Sequence, residues 1–238
     1  MNIATNDKLV KRNRRIAQIA SISGLVVLIG GMVISFQRQD LLNISFASLI
    51  AGFVLSQIGI YFTNRWGRSP RPDELLNQAL KGLDGKYALY HYLTPVSHLL
   101  VGPAGVWILM PRHQRGTISL YKGRWRHSGG GFVQAYLKLF GQESIGRPDL
   151  EIQNDIGNLN KFLEKNQPEG TEGNSLPEIH AALVFTNDQV NIQISDDETP
   201  PAPTLQLNKL KEFIRKTAKN SPLSLAKVDQ IQQIINAD

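Results

Sequence analysis

Two long apolar stretches without a charged residue follow each other near the start of this 238-residue chain. The first covers residues 16–36 and the second covers residues 41–63. At a helical rise of about 1.5 Å per residue, each is long enough to cross a hydrocarbon core roughly 30 Å thick. A buried hairpin of a soluble protein is rarely free of charge over two such lengths. The pattern therefore predicts two transmembrane helices, 16–36 and 41–63.

Basic residues lie at both outer ends of this pair of segments, whereas the turn between them holds one Arg and one Asp. The flanking basic residues are Lys8, Lys11, Arg12, Arg14, Arg15, Arg65, Arg68 and Arg71. The positive-inside rule predicts an integral protein of the cell or inner membrane with both ends in the cytoplasm. A cleaved signal peptide is disfavoured because no small-x-small site follows Phe36 and a second apolar segment comes at once.

Small residues recur at four-residue intervals inside both apolar segments. Ala20 and Gly24 lie in the first, and Ser48, Gly52 and Ser56 lie in the second. Small side chains on one helix face let two membrane helices approach closely. The spacing predicts that these residues form the contact between the two helices.

The charge of the chain is divided unevenly. Residues 1–71 carry nine Lys and Arg against two Asp and Glu, a net charge of +7, whereas residues 72–238 carry seventeen against eighteen, a net charge of −1. The basic character therefore belongs to the membrane flanks, where it suits anionic headgroups, and does not by itself indicate nucleic-acid binding. The absence of cysteine excludes disulfides, thiolate metal sites and a cysteine nucleophile, and is consistent with a cytoplasmic domain.

The sequence predicts four regions. They are a basic cytoplasmic N-terminus (1–15), the two transmembrane helices (16–63), a basic linker containing prolines (64–72) and one cytoplasmic domain (73–238). Periodicity and turn residues predict helices at 73–83, 86–93, 148–165, 208–219 and 222–236, and strands at 98–102, 106–110, 117–121, 124–127, 179–185 and 189–194. This order predicts an α/β or α+β domain with helices on a mixed sheet.

The segments GKYALYHYL (85–93), SHLLVGPAGVWILMPRHQRG (97–116) and ISLYKGRW (118–125) combine a hydrophobic frame with regularly placed glycines. This frame resembles the NERD domain, a nuclease-related module of the PD-(D/E)XK restriction-endonuclease-like superfamily. VQAYLKLF (133–140) and HAALVFTN (180–187) resemble the family's later helix and strand. The resemblance covers about residues 76–190 and implies a mixed-sheet, restriction-endonuclease-like fold.

The resemblance also implies where a nuclease site would lie. Family members would hold a divalent cation with a Glu, an Asp and a second Glu, and would orient water with a Lys. The matching positions here are Lys86, Ser97, Met110 and Arg112, and only His98, which follows the lost Asp, is kept. A hard cation such as Mg²⁺ prefers oxygen ligands, whereas Met110 is a soft ligand, Lys86 would repel the metal, and the set contains no carboxylate. The resemblance therefore implies a catalytically inactive domain without a metal cofactor.

An alternative is a membrane-tethered, metal-dependent nuclease whose carboxylates have moved. The candidates are Glu143, Asp149, Glu151 and Asp155, of which Glu151 and Asp155 are four residues apart on one predicted helix face. Mg²⁺ would be the cofactor under this hypothesis. The ordinary interpretation of the same residues is a solvated helix face. The five histidines show no H-x-x-x-H spacing, and the serines show no G-x-S-x-G motif.

Basic residues gather around the predicted turn at Lys122 and Gly123. The candidates for contact with phosphate or lipid are Arg115, Lys122, Arg124, Trp125 and Arg126. Arginines beside a tryptophan could bind a nucleic-acid backbone and stack a base, or could bind anionic headgroups. A plain charged hairpin surface is a further alternative.

Taken together, the residues and the resemblance predict a membrane-anchored, cytoplasm-facing NERD-like protein that binds or scaffolds at the inner membrane surface without catalysis. The expected partners are the lipid bilayer and an unidentified protein, with nucleic acid as an alternative. A third hypothesis is a membrane-assembly protein whose function lies in the two helices alone.

Overall fold

The computed structural model describes residues 1–128, 145–167 and 175–236. They fall into two compact units. One, the hairpin unit, comprises residues 7–71. The other, the sheet domain, comprises residues 1–6 together with the described residues from 72 onward.

The hairpin unit consists of two long helices joined by a tight turn. Helix α1 covers Asp7–Gln37 and α2 covers Leu42–Phe62, with a 3₁₀ turn at Gln39–Leu41 between them and a π-helical turn at Thr63–Gly67 after them. Both helices are long and apolar enough to cross a membrane, by length and composition. In the turn, Arg38 and Asp40 form an exposed ion pair of 2.8 Å. This hydrogen-bonded partner holds the pKa of Asp40 below its ordinary value.

Small side chains fill the contact between α1 and α2. A Cβ atom built on Gly24 would lie 2.8 Å from Ser56 Oγ, and one on Gly59 would lie 2.8 Å from the backbone nitrogen of Ser21. The buried small residues are Ala17, Ala20, Gly24 and Gly31 on α1, and Ser45, Gly52 and Gly59 on α2. The close packing predicted from Ala20, Gly24, Ser48, Gly52 and Ser56 is confirmed.

Large apolar side chains cover the outside of the same helices. Ile22 is 65% exposed and Phe46 is 67% exposed. The other exposed large apolar residues include Ile19, Leu25, Val26, Ile29, Met32, Val33 and Phe36 on α1, and Ile44, Leu49, Ile50, Phe53, Val54 and Ile58 on α2. The hairpin unit thus buries its small residues and exposes its large apolar ones.

Two sheets form the centre of the sheet domain. The part of the chain that the structure describes has nine strands: β1 (Asn2–Thr5), β2 (Ala88–His91), β3 (His98–Gly102), β4 (Gly105–Arg112), β5 (Gly116–Tyr121), β6 (Arg124–Ser128), β7 (Ile179–Phe185), β8 (Val190–Ile194) and β9 (Thr204–Gln206). The larger sheet has the order β1-β2-β3-β4-β7-β9, and the smaller sheet has the order β6-β5-β8. Both contain parallel and antiparallel pairs, which confirms the predicted mixed sheet.

Among the described residues, four helices cover the larger sheet: α3 (Pro72–Leu80), α4 (Pro148–Lys165), α5 (Leu210–Asn220) and α6 (Leu225–Asn236). Apolar residues of α4 and α6 join one core cluster with Val106, Ile108 and Met110 of β4. Apolar residues of α3 and α5 join a second cluster with Trp107 and Leu109 of the same strand. Because side chains alternate along a strand, the two clusters lie on opposite faces of the sheet. The predicted mixed α/β class is confirmed.

An N-terminal strand extends the sheet domain beyond the predicted boundaries of residues 1–15 and 73–238. Strand β1 pairs in parallel with β2, with Asn2 opposite Ala88 and Thr5 opposite His91. The backbone nitrogen of Asn6 donates to the carbonyl of His91 at 3.0 Å. Helices α1, α2 and α3 therefore form the connection between two adjacent parallel strands. Both ends of the hairpin unit lead into the same folded domain.

The predicted helix at 86–93 is wrong, because residues 88–91 form strand β2. Ala88 and Tyr90 face one core cluster and Leu89 faces the other. With His91, all four residues of the strand are buried. A strand that is covered on both faces does not alternate between polar and apolar residues. Its short apolar run cannot be told from a segment of a buried helix by periodicity alone. The other predicted strands and helices are present with small shifts at their ends. Strands β1 and β9 were not predicted.

Candidate functional site

The positions implied by the NERD resemblance are divided between surface and core. Lys86 is exposed in the turn before β2, and Ser97 directly precedes β3. Met110, near the end of β4, is only 5% exposed and packs in the core cluster that includes α4 and α6. Leu99 pairs with Ile108 in antiparallel β3 and β4, so Ser97 and Met110 lie at the same end of these strands. The structure thus places a neutral alcohol and a thioether at this end of the strands, where neither supplies a carboxylate and the thioether is a soft ligand that a hard cation disfavours.

Arg112, at the end of β4, forms an ion pair with Glu151 of α4. The Arg112 side chain is 18% exposed and that of Glu151 is 46% exposed. The carbonyl of Arg112 accepts hydrogen bonds from the backbone nitrogen of Thr186 at 2.8 Å and from its hydroxyl at 3.2 Å. The guanidinium therefore neutralises one of the carboxylates that the relocated-site hypothesis requires.

Among the described residues, the other relocated carboxylates do not complete a metal site with Glu151. Asp149 forms a 3.0 Å ion pair with Arg147 at the start of α4. Asp155 lies one turn further along α4. Glu143 and the segment 133–140 lie outside the described residues. Within residues 1–128, 145–167 and 175–236, no group of three or more His, Asp or Glu side chains could hold a metal ion.

Two buried histidines form the least expected polar group of the sheet domain. His91 and His98 are directly opposite in β2 and β3, and their Nδ1 atoms are 2.8 Å apart. His91 Nε2 lies 3.0 Å from Oδ1 of Asn77 on α3. Asn77 Oδ1 accepts from His91 Nε2–H, so a neutral His91 accepts at Nδ1 from His98. The ring of Tyr92 packs edge-on against His98, with centroids 5.0 Å apart.

This histidine pair links α3 to the sheet through side chains. Asn77 of α3, His91 of β2 and His98 of β3 thus form one hydrogen-bonded series. The sequence places His98 at the start of the predicted strand 98–102, but its partner depends on the pairing of that strand with β2. Assigning residues 86–93 to a strand would have placed His91 opposite His98 and revealed the pair.

Burial raises the pKa of two tyrosines in the same domain. For Tyr87 the main cause is desolvation, with a smaller contribution from the charge of Asp84. For Tyr90 desolvation again dominates, and a hydrogen bond with Asn236 opposes it. Tyr87 also packs tightly on Gly102, where an added Cβ would lie 2.2 Å from its ring. Both phenols are therefore neutral packing groups.

The β5–β6 hairpin carries the predicted basic site. Its turn has positive φ at Lys122 (50°) and Gly123 (67°). The carboxylate of Glu198 accepts hydrogen bonds from the backbone nitrogens of both residues. Arg115 is exposed just before β5, and its carbonyl lies 2.6 Å from His127 Nε2. An acidic side chain therefore sits at the tip of the hairpin, beside Lys122.

Trp125 does not share the exposure of its basic neighbours. It is half-buried and packs against two core clusters, and its indole N–H is buried without a hydrogen-bond partner among the described residues. Its flanking residues Arg124 and Arg126 are exposed on the opposite side of the strand. The predicted use of Trp125 as a stacking platform is therefore not supported by its position.

One face of the smaller sheet is polar and exposed, and we name it the polar sheet face. Its members are Thr117, Ser119 and Tyr121 of β5, Arg124, Arg126 and Ser128 of β6, and Asn191 and Gln193 of β8. The guanidinium of Arg126 lies 4.9 Å from the centre of the Tyr121 ring. Among the described carboxylates, none lies within 4.0 Å of Arg124 or Arg126. This face is the best candidate for recognition of an anion.

Comparison of the chain with known protein families, with curated proteins and with solved structures finds no match. The function is therefore argued from the residues themselves.

Proposed function

We propose that this chain is a membrane-anchored protein whose hairpin unit spans the bilayer, with the sheet domain on the cytoplasmic side. The sheet domain would be a NERD-like, restriction-endonuclease-like module that binds or scaffolds at the inner membrane surface without catalysis. The observation that carries the proposal is the packing of the hairpin unit, with small residues buried and large apolar residues exposed.

Water is a poor solvent for that outer surface. Burying apolar surface is worth about 25 cal/mol per Å², and soluble proteins rarely expose a contiguous apolar patch larger than a few hundred Å². A core helix of a soluble protein would place its Leu, Ile and Phe residues against other parts of the protein. Lipid tails instead solvate exposed apolar side chains, and they leave small residues to form the helix contact.

Two further observations support the orientation. Residues 1–6 and the described residues from 72 onward belong to one folded domain, so a hairpin unit that spans a membrane has both ends on the same side. Eight Lys and Arg residues flank the outer ends of the apolar segments, whereas Arg38 in the turn is paired with Asp40. This distribution favours the cytoplasm for the sheet domain.

The side chains at the positions that match the NERD metal site support the non-catalytic role. Lys86, Ser97 and Met110 supply no carboxylate, and Arg112 is paired with Glu151. A basic side chain and a buried thioether disfavour binding of a hard dication.

Single-cysteine labelling in cells tests the anchor and its orientation, and the cysteine-free chain makes the labelling specific. Gln39→Cys places the thiol in the turn, and Asn220→Cys places it at the end of α5. A membrane-impermeant maleimide should label Gln39→Cys in intact cells and Asn220→Cys only after permeabilisation. Release of the chain by alkaline carbonate, or the reverse labelling pattern, would contradict the proposal.

A nuclease assay on the full chain in detergent tests the non-catalytic role. With Mg²⁺ or Mn²⁺ and mixed DNA and RNA substrates, we expect no cleavage above a blank. Glu151→Gln and Asp155→Asn test the relocated carboxylates, and Glu164→Gln, on the same helix, is the matched control. Cleavage that Glu151→Gln and Asp155→Asn abolish and Glu164→Gln keeps would establish the nuclease alternative.

A further inference from the structure

The polar sheet face holds two arginines in a fixed arrangement. Arg124 and Arg126 are two residues apart on β6, so their side chains leave the same side of the strand. Tyr121 is the cross-strand partner of Arg124, and its ring also lies under the guanidinium of Arg126. A cation–π contact of this kind restrains the side chain before any ligand arrives. Arg126 is therefore partly preorganised on an open surface, and Arg124 leaves the same side of the strand beside it.

The donors on this face suit phosphate oxygens. A guanidinium presents a planar fork of N–H groups that can bind phosphate in a bidentate manner. The hydroxyl of Ser119, which is opposite Arg126 in the strand register, lies on the same face as the two arginines. The carboxylate of Glu198, at the tip of the same hairpin, accepts hydrogen bonds from the backbone nitrogens of Lys122 and Gly123 and does not pair with either arginine. The positive charge of the two arginines therefore lacks a partner among the described residues.

The surroundings favour a lipid over a nucleic acid. Bases need an exposed aromatic platform, but Trp125 packs inward and the Tyr121 ring already contacts Arg126 and Lys122. Residues 72–238 have a net charge of −1, which gives little long-range attraction for a free polyanion. A tether to the bilayer removes the need for that attraction, because it keeps the local concentration of headgroups high. Tyr121, 47% exposed, also has the amphipathic character of side chains found at headgroup depth.

We propose that Arg124 and Arg126 on the polar sheet face bind phosphate groups of anionic lipids in the bilayer that holds the hairpin unit. This inference rests on the proposed membrane anchoring. Each arginine near an anionic surface changes the ratio of docked to undocked domain by roughly fivefold, and the pair changes it by roughly 30-fold.

A spin label on the polar sheet face measures docking in the full chain. Ser128→Cys, at the end of the face away from the turn, carries the nitroxide, and Asn220→Cys carries it off the face. Nanodiscs contain a nickel-chelating lipid in phosphatidylcholine, with or without phosphatidylglycerol. We expect phosphatidylglycerol to increase relaxation of the label at residue 128 by headgroup nickel, and to leave the label at residue 220 unchanged.

Matched variants assign the effect to the two arginines. Arg124→Gln with Arg126→Gln should abolish the phosphatidylglycerol effect, whereas Lys216→Gln with Lys219→Gln on α5 removes the same charge and should keep it. Arg124→Lys with Arg126→Lys keeps the charge without the bidentate fork, and should give an intermediate effect. This variant tests the inference if the double Gln variant is poorly folded.

Three outcomes would overturn the inference. One is retention of the chain in nanodiscs without any effect of phosphatidylglycerol, which leaves the anchoring intact. The second is an equal loss in the lysine and arginine variants, which indicates diffuse attraction. The third is binding of an RNA oligonucleotide that needs Arg124 and Arg126 but no anionic lipid, which assigns the face to nucleic acid. Failure of the chain to remain in nanodiscs would refute the anchoring as well.

Discussion

The hairpin unit and the sheet domain bury opposite kinds of side chain. Between residues 16 and 62 the buried residues of α1 and α2 are Gly, Ala and Ser, and most of the large apolar residues face outward. In the sheet domain Leu, Ile and Val fill the interior on both faces of the sheet. One chain thus uses two packing rules, and the boundary between them lies close to residues 6 and 72.

The difference shows what each unit gains from folding. The sheet domain is stabilised mainly by removing apolar surface from water. Under the proposed anchoring, the hairpin unit gains little from that effect, because lipid solvates its apolar residues equally well. Its helices instead gain from close van der Waals contact and from hydrogen bonds across the interface.

A large-to-small substitution should separate the two units most clearly. Leu183→Ala removes a side chain that is 1% exposed in the sheet domain core, and we expect a loss of about 2–5 kcal/mol in unfolding free energy. Ile22→Ala on the outside of α1 is the matched control and should change stability by less than about 0.5 kcal/mol. Denaturant unfolding of the full chain in micelles measures both. Equal losses would refute the contrast.

A small-to-large substitution should destabilise the hairpin unit, which a large-to-small substitution on its outer surface leaves unchanged. Gly59→Leu places a Cβ 2.8 Å from the backbone nitrogen of Ser21, which cannot move away as a side chain can. We expect α1 and α2 to separate, at a cost of about 1–3 kcal/mol. Gly30→Leu is the matched control, because a Cβ there meets no atom within 4 Å.

Distances between nitroxides at Ile19→Cys and Ile58→Cys measure that separation. Gly59→Leu should lengthen the distance, and Gly30→Leu should leave it unchanged. An unchanged distance in Gly59→Leu would mean that the small residues do not set the helix spacing.

The smallest expected effect concerns one hydrogen bond between the helices. Ser45 Oγ donates to the carbonyl of Gly31 at 2.7 Å, whereas Ser48 Oγ donates within its own helix to Ile44 at 2.9 Å. Ser45→Ala should cost about 0.6 kcal/mol, the average for such bonds in membrane helices. Ser48→Ala should cost less. Titration of helicity with a denaturing detergent compares them, and a larger loss for Ser48→Ala would contradict the assignment.

Features with a local signal could be predicted from the sequence. The apolar lengths, the flanking charges and the small residues predicted both helices of the hairpin unit and their contact. Strong periodicity predicted α4, and the alternating residues Val190, Ile192 and Ile194 predicted β8. The assignment to the NERD family stays a prediction.

Features that depend on distant partners were missed. Strand β1 has only four residues and a mixed polar pattern, and its partner β2 lies on the far side of the hairpin unit in the sequence. Strand β9 is three residues long and pairs with β7. The His91–His98 pair was missed because it depends on the β2–β3 register.

The candidate anion site was predicted by residue type but not by orientation. Arg124, Trp125 and Arg126 were treated as one cluster, although alternation along a strand places the tryptophan on the other side from the arginines. Applying that rule to the predicted strand at 124–127 would have separated them.

The position of β1 also fixes an order of events during synthesis. Translation completes β1 before α1, α2 and α3, and its partner β2 follows only after all three. If the second helix of the hairpin did not bring the chain back to the same side, β2 would have no β1 to pair with and would remain an open edge. Such an edge is a surface prone to aggregation. Under the proposed anchoring, correct insertion of the hairpin and completion of the sheet therefore depend on each other.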